Sequence, residues 1–304
     1  MNNVMLTRVS VFRNVKDYKF VPKLESEKRV EIEHLLTEIL AGQMEKVDIT
    51  KADDATIKFM RNRALMPISN CQIMFLDRAR STAVFLFDEE HITIVSTGIG
   101  FNKTAYENAK FIENLIASKV SFAYRDDYGY LMSNVQNLGC GLRLECDMDL
   151  FGLESINKID QLKQNVKNLR FVLKKTQPSI YAIVSTCNLG YSESEILAEF
   201  EKTISKIQDL EVEADKVSDL QNHDLLVDNA LRSVALLKYA HKMDVGELRT
   251  LLKNIKVGLN LGILTLSQRA INSLTELAIY QEEISSISDA IALADKIKEI
   301  MKGE

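Results

Sequence analysis

The sequence predicts an α+β protein, a strand-rich body followed by a helical C-terminal domain, and three observations predict it. Short β-rich runs bounded by polar turns recur through the first half. Between Leu142 and Leu150, apolar Leu142, Leu144, Cys146, Met148 and Leu150 alternate with Arg143, Glu145, Asp147 and Asp149, the period of a strand with one face buried. From Gly190 onward the apolar residues recur at helical spacing instead.

Taken in order, Val4 to Phe12 reads as a strand. Glu25 to Leu40 reads as an amphipathic helix with Val30, Ile32, Leu35, Leu36 and Ile39 on its apolar stripe and His34 at the surface. Strands follow over Gln72 to Leu76, Thr82 to Phe87 and Ile92 to Ser96, and Asp88-Glu89-Glu90-His91 forms the polar turn between the last two. Lys103 to Ser118 is helical, with Ala105, Ala109, Ile112 and Ile116 near one face. A short strand then enters at Tyr130, and Gly139 and Gly141 make a turn in which the backbone can take positive φ or approach a ligand closely. The strand from Leu142 leaves that turn, which predicts a β-hairpin with a solvated charged face and Arg143 pointing off the sheet.

Leu153 to Lys167 reads as a helix, and strands Leu169 to Leu173 and Ile180 to Ser185 are joined by a connection running from Lys174 to Ser179. Ser192 and Glu195 form a capping box ahead of Ile196, Phe200, Ile204 and Ile207. A separate helix is expected over Leu225 to Tyr239. Asp244 and Glu247 cap the next, which carries Leu248, Leu251, Leu252 and Ile255, and Glu283 to Met301 forms the last. This divides the chain into residues 1–222 and a helical domain of residues 223–304.

With 304 residues, 46% of them hydrophobic, the chain can bury a core without covalent staples. A net charge of -5 and the lack of a basic stripe give no electrostatic reason to expect nucleic acid or an anionic membrane as a partner. Cys71, Cys140, Cys146 and Cys187 are scattered, with no C-x-x-C pair and no histidine at ligand spacing, so reduced thiols are expected and a structural metal is not. There is no signal-like leader and no stretch of about 18 apolar residues, and a cytoplasmic protein is expected.

Five stretches carry a resemblance. Gly129-Tyr130-Leu131 with Asn137-Leu138-Gly139-Cys140-Gly141-Leu142-Arg143 resembles the Gly-Tyr-Leu-Thr-Ser-Cys-Pro-Thr-Asn-x-Gly-Thr-Gly-Leu-Arg segment of the guanidino (phosphagen) kinases. The stretch from Leu6 to Asn14 is similar to their Ser-Ser-Arg-x-Arg-Leu-Ala-Arg-Asn, and Phe87 to Ile94 to their Asn-Glu-Glu-Asp-His-x-Arg-Ile. Val257-Gly258-Leu259-Asn260-Leu261-Gly262-Ile263 and Leu231-Arg232-Ser233 resemble Leu-Gly-Ile-Asp-Leu-Gly-Ile and Tyr-Arg-Ser of the bacterial protein arginine kinases within that family.

The resemblance implies an antiparallel sheet flanked by helices, the guanidino-kinase catalytic fold, with ATP and Mg on its polar face and a helical domain that forms a homodimer. It also implies a small zinc-binding activator and an unfoldase–protease machine as partners. Asp88 and Glu89 fall where the family's carboxylates hold the substrate guanidinium and take its proton, a task suited to acids that can bind a planar fork and act as a base. Arg8, His91 and Arg143 fall on the nucleotide side, and Lys174 stands near the start of the family's closing loop.

The departures are as informative as the matches. Ser10 and Thr93 replace arginines that would touch phosphate, and Arg13 is the other arginine kept from the first motif. The glycine-rich closing loop is reduced to Lys174-Lys175-Thr176-Gln177-Pro178-Ser179, and Asn134-Val135-Gln136 stands for Cys-Pro-Thr. The phosphoarginine-reading Arg-Asp-x-x-Arg-Ala motif keeps only Asp289. Phosphoryl transfer rests almost wholly on positioning and electrostatic stabilisation, so the expectation is a catalytically impaired pseudokinase that binds or regulates. The alternative is an active ATP-dependent kinase of protein arginines.

Overall fold

An eight-stranded, wholly antiparallel sheet forms the body of the protein in a computed structural model that describes residues 3–69, 71–101, 103–177, 179–186, 189–280 and 286–304. Strands β1 (Val4–Arg13), β2 (Met44–Asp48), β3 (Ile73–Asp77), β4 (Thr82–Leu86), β5 (Ile92–Ile99), β8 (Leu142–Asp149), β9 (Phe171–Gln177) and β10 (Ile180–Ser185) lie in the order β2-β3-β4-β5-β1-β8-β10-β9. Register places Ser10 opposite Arg143 and Arg8 opposite Glu145 on one side, and opposite Val95 and Thr97 on the other. Paired residues share a face, so Arg8, Ser10, Arg143, Glu145 and Asp147 lie together.

The opposite face holds the main core. Val9, Val11, Ile94, Leu144, Cys146 and Ile183 pack there with α1 (Ser26–Leu40), α3 (Lys103–Ala117), α5 (Ile159–Asn168) and the first half of α6 (Glu193–Tyr239). On the polar face, α2 (Asp54–Asn62) and the following segment cover β3 to β5 through Met60, Leu65, Met74, Phe85 and Val95. The centre of that face, over β1 and β8, is left for polar residues.

Several expectations are corrected. Tyr130 does not form a hairpin with the strand from Leu142: β7 (Gly129–Tyr130) pairs with β6 (Tyr124–Arg125), and a single bridge joins Tyr130 to Gly139, while β8 inserts between β1 and β10. The charged face of β8 is half-buried rather than solvated, and Asp149 at its end is buried. Val30 is 64% exposed, because the buried row of α1 is Ile32, Leu36 and Leu40. The helix expected over Leu153 to Lys167 is two, α4 (Phe151–Ser155) and α5, broken where Asn157 takes a φ of 58°. Cys187 and Ile284 lie outside the described residues, as does the expected start of the last helix at Glu283; α9 is described over Ile287–Met301.

The largest difference is α6, 47 residues long and continuous through the place where a separate helix was expected to begin at Leu225. A boundary between residues 222 and 223 therefore falls inside one helix shared by two cores. The second core is formed by Leu237, Leu248, Leu252, Ile255, Leu274, Leu293 and Ile297, which join the end of α6 to α7 (Val245–Asn260), α8 (Gln268–Tyr280) and α9. Where the cores meet, Glu211 on α6 caps α4 by accepting from the backbone N–H groups of Gly152 (2.5 Å) and Leu153 (3.0 Å), and Asp215 accepts from Asn260 Nδ2 at 2.7 Å.

Burial, followed by the neighbouring charge of Asp215, pushes the Glu211 carboxyl up to about 8, and burial pushes Asp215 up to about 6. A carboxyl raised in the folded state keeps a proton that the unfolded chain releases near its ordinary value. Its contribution to stability is therefore complete below that value and is lost as pH rises through the folded one. Melting temperature should fall between about pH 5 and 9, and Glu211→Gln should flatten the slope above pH 6. An equally steep profile in the variant would place the coupling elsewhere.

Candidate active site

Four elements build the polar face: β1 brings Arg8, β8 brings Arg143, the β4–β5 turn brings the acids, and the loop after β7 brings Asn134 and Asn137. Arg143 donates from Nη2 to Asn137 Oδ1 (3.0 Å), lies 3.7 Å from Glu89 Oε2 and stacks over the Phe12 ring at 5.0 Å. Glu89 also accepts from Asn134 Nδ2 and Asn137 Nδ2, each at 3.1 Å. The structure thus brings Glu89 and Arg143 together in one half-buried group braced by Asn134 and Asn137.

Arg8 is held differently. Its Nη2 donates to the carbonyl of Met66 at 2.9 Å, its Nη1 lies 4.0 Å from Glu145, and its Nε is buried without a partner. Burial pulls Arg8 below the usual arginine value, against the opposing pull of Glu145. Asp88 points to the same overlying segment, accepting from the N–H groups of Ile68 (2.9 Å) and Ser69 (2.6 Å) and from Ser69 Oγ (2.7 Å). The segment Met66–Ser69 is therefore tied across the polar face by both a cation and an acid that the sequence assigns to ligands.

The two carboxylates expected to act as a pair have separate anchors: Asp88 holds the Met66–Ser69 segment, and Glu89 holds Arg143 and two asparagines. His91 is fully buried, with Nδ1 accepting from Val15 N–H (3.0 Å) and Nε2 at 2.9 Å from the Lys19 carbonyl, which makes Nε2 the protonated nitrogen. Both ring nitrogens are thereby taken by backbone, and burial keeps the ring neutral by pulling it below its ordinary value. Lys174 is exposed on edge strand β9, in register with Ala182 and through it with Asp147. Two strand spacings, roughly 10 Å, separate it from β8, so it is not brought to Arg8 or Arg143.

Three structural roles escaped the sequence. Glu90, fully buried, accepts from Asn14 Nδ2 (2.6 Å), Ser133 N (2.8 Å), Ser133 Oγ (2.9 Å) and Asn134 N (2.9 Å), and so sets the loop that carries the asparagines. Arg13, matched to a phosphate-binding arginine, is an internal strut. It meets Glu113 (2.5 Å) and Glu193 (3.1 Å), donates to the carbonyls of Phe12 (2.6 Å) and Cys140 (2.9 Å), and lies 3.6 Å over the Tyr130 ring. Gly141 is required beside it: at φ 61° a Cβ would stand 2.6 Å from Arg13 Nη1. Finally, Ser10 and Thr93, the two lost arginines, are buried positions beneath the face rather than gaps in it.

The face sets Arg8 and Arg143 against Asp88, Glu89, Glu145 and Asp147. Burial and the charge of Glu145 push Asp147 up to about 6.

Arginines and loop carboxylates on the polar face of an antiparallel sheet, with a helical second core, define the scaffold of a guanidino phosphotransferase. Residues 20–214 match the family model of the ATP:guanido phosphotransferase C-terminal catalytic domain, and the chain belongs to that family. It is 27% identical over 300 residues to a protein-arginine kinase of Clostridium perfringens, covering 89% of this chain and 86% of that one. It is 23% identical over 327 residues to the Clostridium acetobutylicum protein-arginine kinase, covering 98% and 96%. Among solved structures, the substrate-free duplicated taurocyamine kinase of Schistosoma mansoni superposes with a TM-score of 0.62 at 20% identity, over 69% of this chain and 32% of that one. A lombricine kinase gives 0.61 at 18%, over 68% and 66%, and these likenesses show the fold.

Proposed function

We propose that this protein is a catalytically impaired relative of the protein-arginine kinases that acts as a binding or regulatory subunit. The observation that carries the reading is the state of the two retained arginines, one held by Met66 and facing Glu145, the other beside Glu89. The family uses ATP with Mg, and the residues of this face do not fit that group. Two guanidiniums face four carboxylates, and a triphosphate would have to displace Met66–Ser69 before reaching Arg8. The competing reading, an active kinase of protein arginines, is favoured by retention of Asp88, Glu89, His91 and Arg143. Calorimetric titration with MgATP should give no saturable heat in the micromolar range, and incubation with an arginine-rich protein should leave no phosphoarginine detectable by mass spectrometry. Arginine phosphorylation that disappears in an Asp88→Asn, Glu89→Gln double variant would establish the active kinase instead.

The same reading includes a homodimer through the C-terminal helices. Leu225, Leu236 and Tyr239 recur at i, i+11 and i+14 and are exposed, Tyr239 by 80%, so they form an apolar stripe along the end of α6. Light scattering at micromolar concentration should give twice the 34.4 kDa of one chain, and a monomer mass would remove the dimer. A small zinc-binding activator and an unfoldase–protease machine remain the proposed partners, to be tested by direct titration of the purified proteins.

A further inference from the structure

Helix α7 carries Arg249, Lys253 and Lys256 at i, i+4 and i+7, a spacing that sets three cations on one face. That face looks onto the end of β8 and the β9–β10 turn, and the three side chains line a cavity of about 320 Å³ between the two cores. Ser179, whose side chain hydrogen-bonds Asp149, and Thr275, both buried, add hydroxyls to its wall, Thr250 adds another and Gln177 an amide. Asp149 is the acid among its lining residues. Arg249 gives its Nε–H to the Ala278 carbonyl at 2.9 Å, Lys253 lies 3.9 Å over the Phe151 ring, and Lys256 is 6% exposed with Asp149 as the opposing charge.

Burying an ammonium is costly unless it is paired; Asp149 is the acid in this cavity, and Asp215 and Glu211 stand in the small space beyond it that Lys253 and Lys256 also line, with burial pushing the Glu211 carboxyl up to about 8. An adjoining cavity of about 520 Å³ shares Arg249 and Gln177 and adds Lys58 and Arg61 from α2 against Asp147. Five cations thus converge on this junction in a chain whose net charge is -5. Hydroxyls, an arginine fork and lysine point charges around a partly desolvated space are the donors that a phosphate takes.

We propose that the junction between the sheet and α7–α8 is a binding site for a small dianionic phosphate ester, held by Arg249, Lys253 and Lys256 with the hydroxyls of Ser179 and Thr275. Neither Arg8 nor Arg143 lines it, although Asp147 of their face lines the adjoining cavity, and it stands whether or not Arg8 and Arg143 take nucleotide. Because its donors come from both cores, an occupant ties one to the other and raises the melting temperature by mass action.

Phenyl phosphate is the probe, titrated calorimetrically into the full chain at about 0.15 M salt, where long-range attraction is screened. Saturable binding is expected, with phenyl sulfonate, a monoanion of similar shape, binding at least about tenfold more weakly. The Arg249→Gln, Lys253→Gln double variant should lose about tenfold or more, the size of one or two charged hydrogen bonds, while Arg8→Gln leaves binding unchanged. If the double variant does not fold, Lys253→Gln alone, at a half-buried side chain, should lose about threefold. No saturable heat from the wild type, or binding lost in Arg8→Gln and kept in the α7 variant, would overturn the assignment.

Discussion

Replacing Arg13 with methionine is expected to remove about 3–5 kcal/mol of folding stability, the cost of leaving a buried charge without its partner. The guanidinium is fully buried and joins four parts of the chain: its own strand β1, Glu113 on α3, the Cys140–Gly141 turn and Glu193 at the start of α6. Methionine fills much of the volume but donates nothing, so Glu113 and the carbonyls of Phe12 and Cys140 lose donors in a region closed to water. Lys110 remains near both glutamates and holds the cost to that range. Domains of this kind have about 5–15 kcal/mol in total, so the variant should unfold at far lower urea than the wild type. Adding Glu113→Gln should recover part of the loss, because it removes the acid left without its guanidinium. A loss under about 1 kcal/mol would show that Arg13 is dispensable packing.

The second large effect is expected at Glu90. Glu90→Ala removes the acceptor for Asn14 Nδ2 and for the N–H groups of Ser133 and Asn134. Hydrogen bonds to a charged group are each worth about 1.5–3 kcal/mol, and a total near 4 kcal/mol is expected because Ser133 Oγ keeps its bond to the Glu89 carbonyl. The loss should be local before it is global. Ser133 and Asn134 amides should exchange faster by orders of magnitude, while amides of β1 and β5 stay protected. Uniform loss of protection across the sheet would mean that Glu90 holds the whole fold rather than the asparagine loop.

Glu90 also shows where sequence reading reaches its limit. The run Asp88-Glu89-Glu90-His91 marks the right turn and the right chemistry, but a string of acids does not say which way each one faces. Asp88 and Glu90 turn to backbone donors, His91 is locked between Val15 and Lys19, and Glu89 alone reaches Arg143. The alternation of β8 and the apolar row of α3 were legible because each is periodic over many residues, and the capping box at Ser192 because its two residues bond to each other locally. Strand β2 and helix α2 were not: Met-Glu-Lys-Val-Asp carries little alternation, and nine residues give α2 only about two and a half turns of pattern. The continuity of α6 was hidden for another reason. Glu211, Asp215 and Ser218 lie on its inward face and are buried, so polar residues occupy the positions where a reader looks for leucine.

That unbroken rod has a mechanical consequence. At 1.5 Å per residue, α6 is roughly 70 Å long, and it is both a wall of one core and the root of the other. A single residue inserted near Asp224 would advance everything beyond it by about 1.5 Å and swing it by about 100°. The basic face of α7 would leave the sheet, and the exposed stripe ending at Tyr239 would point in a different direction. Chain length in this stretch thus works as an angular setting: substitutions that keep the helix leave the heading unchanged, whereas one codon gained or lost turns about the last quarter of the chain to a different heading against the sheet.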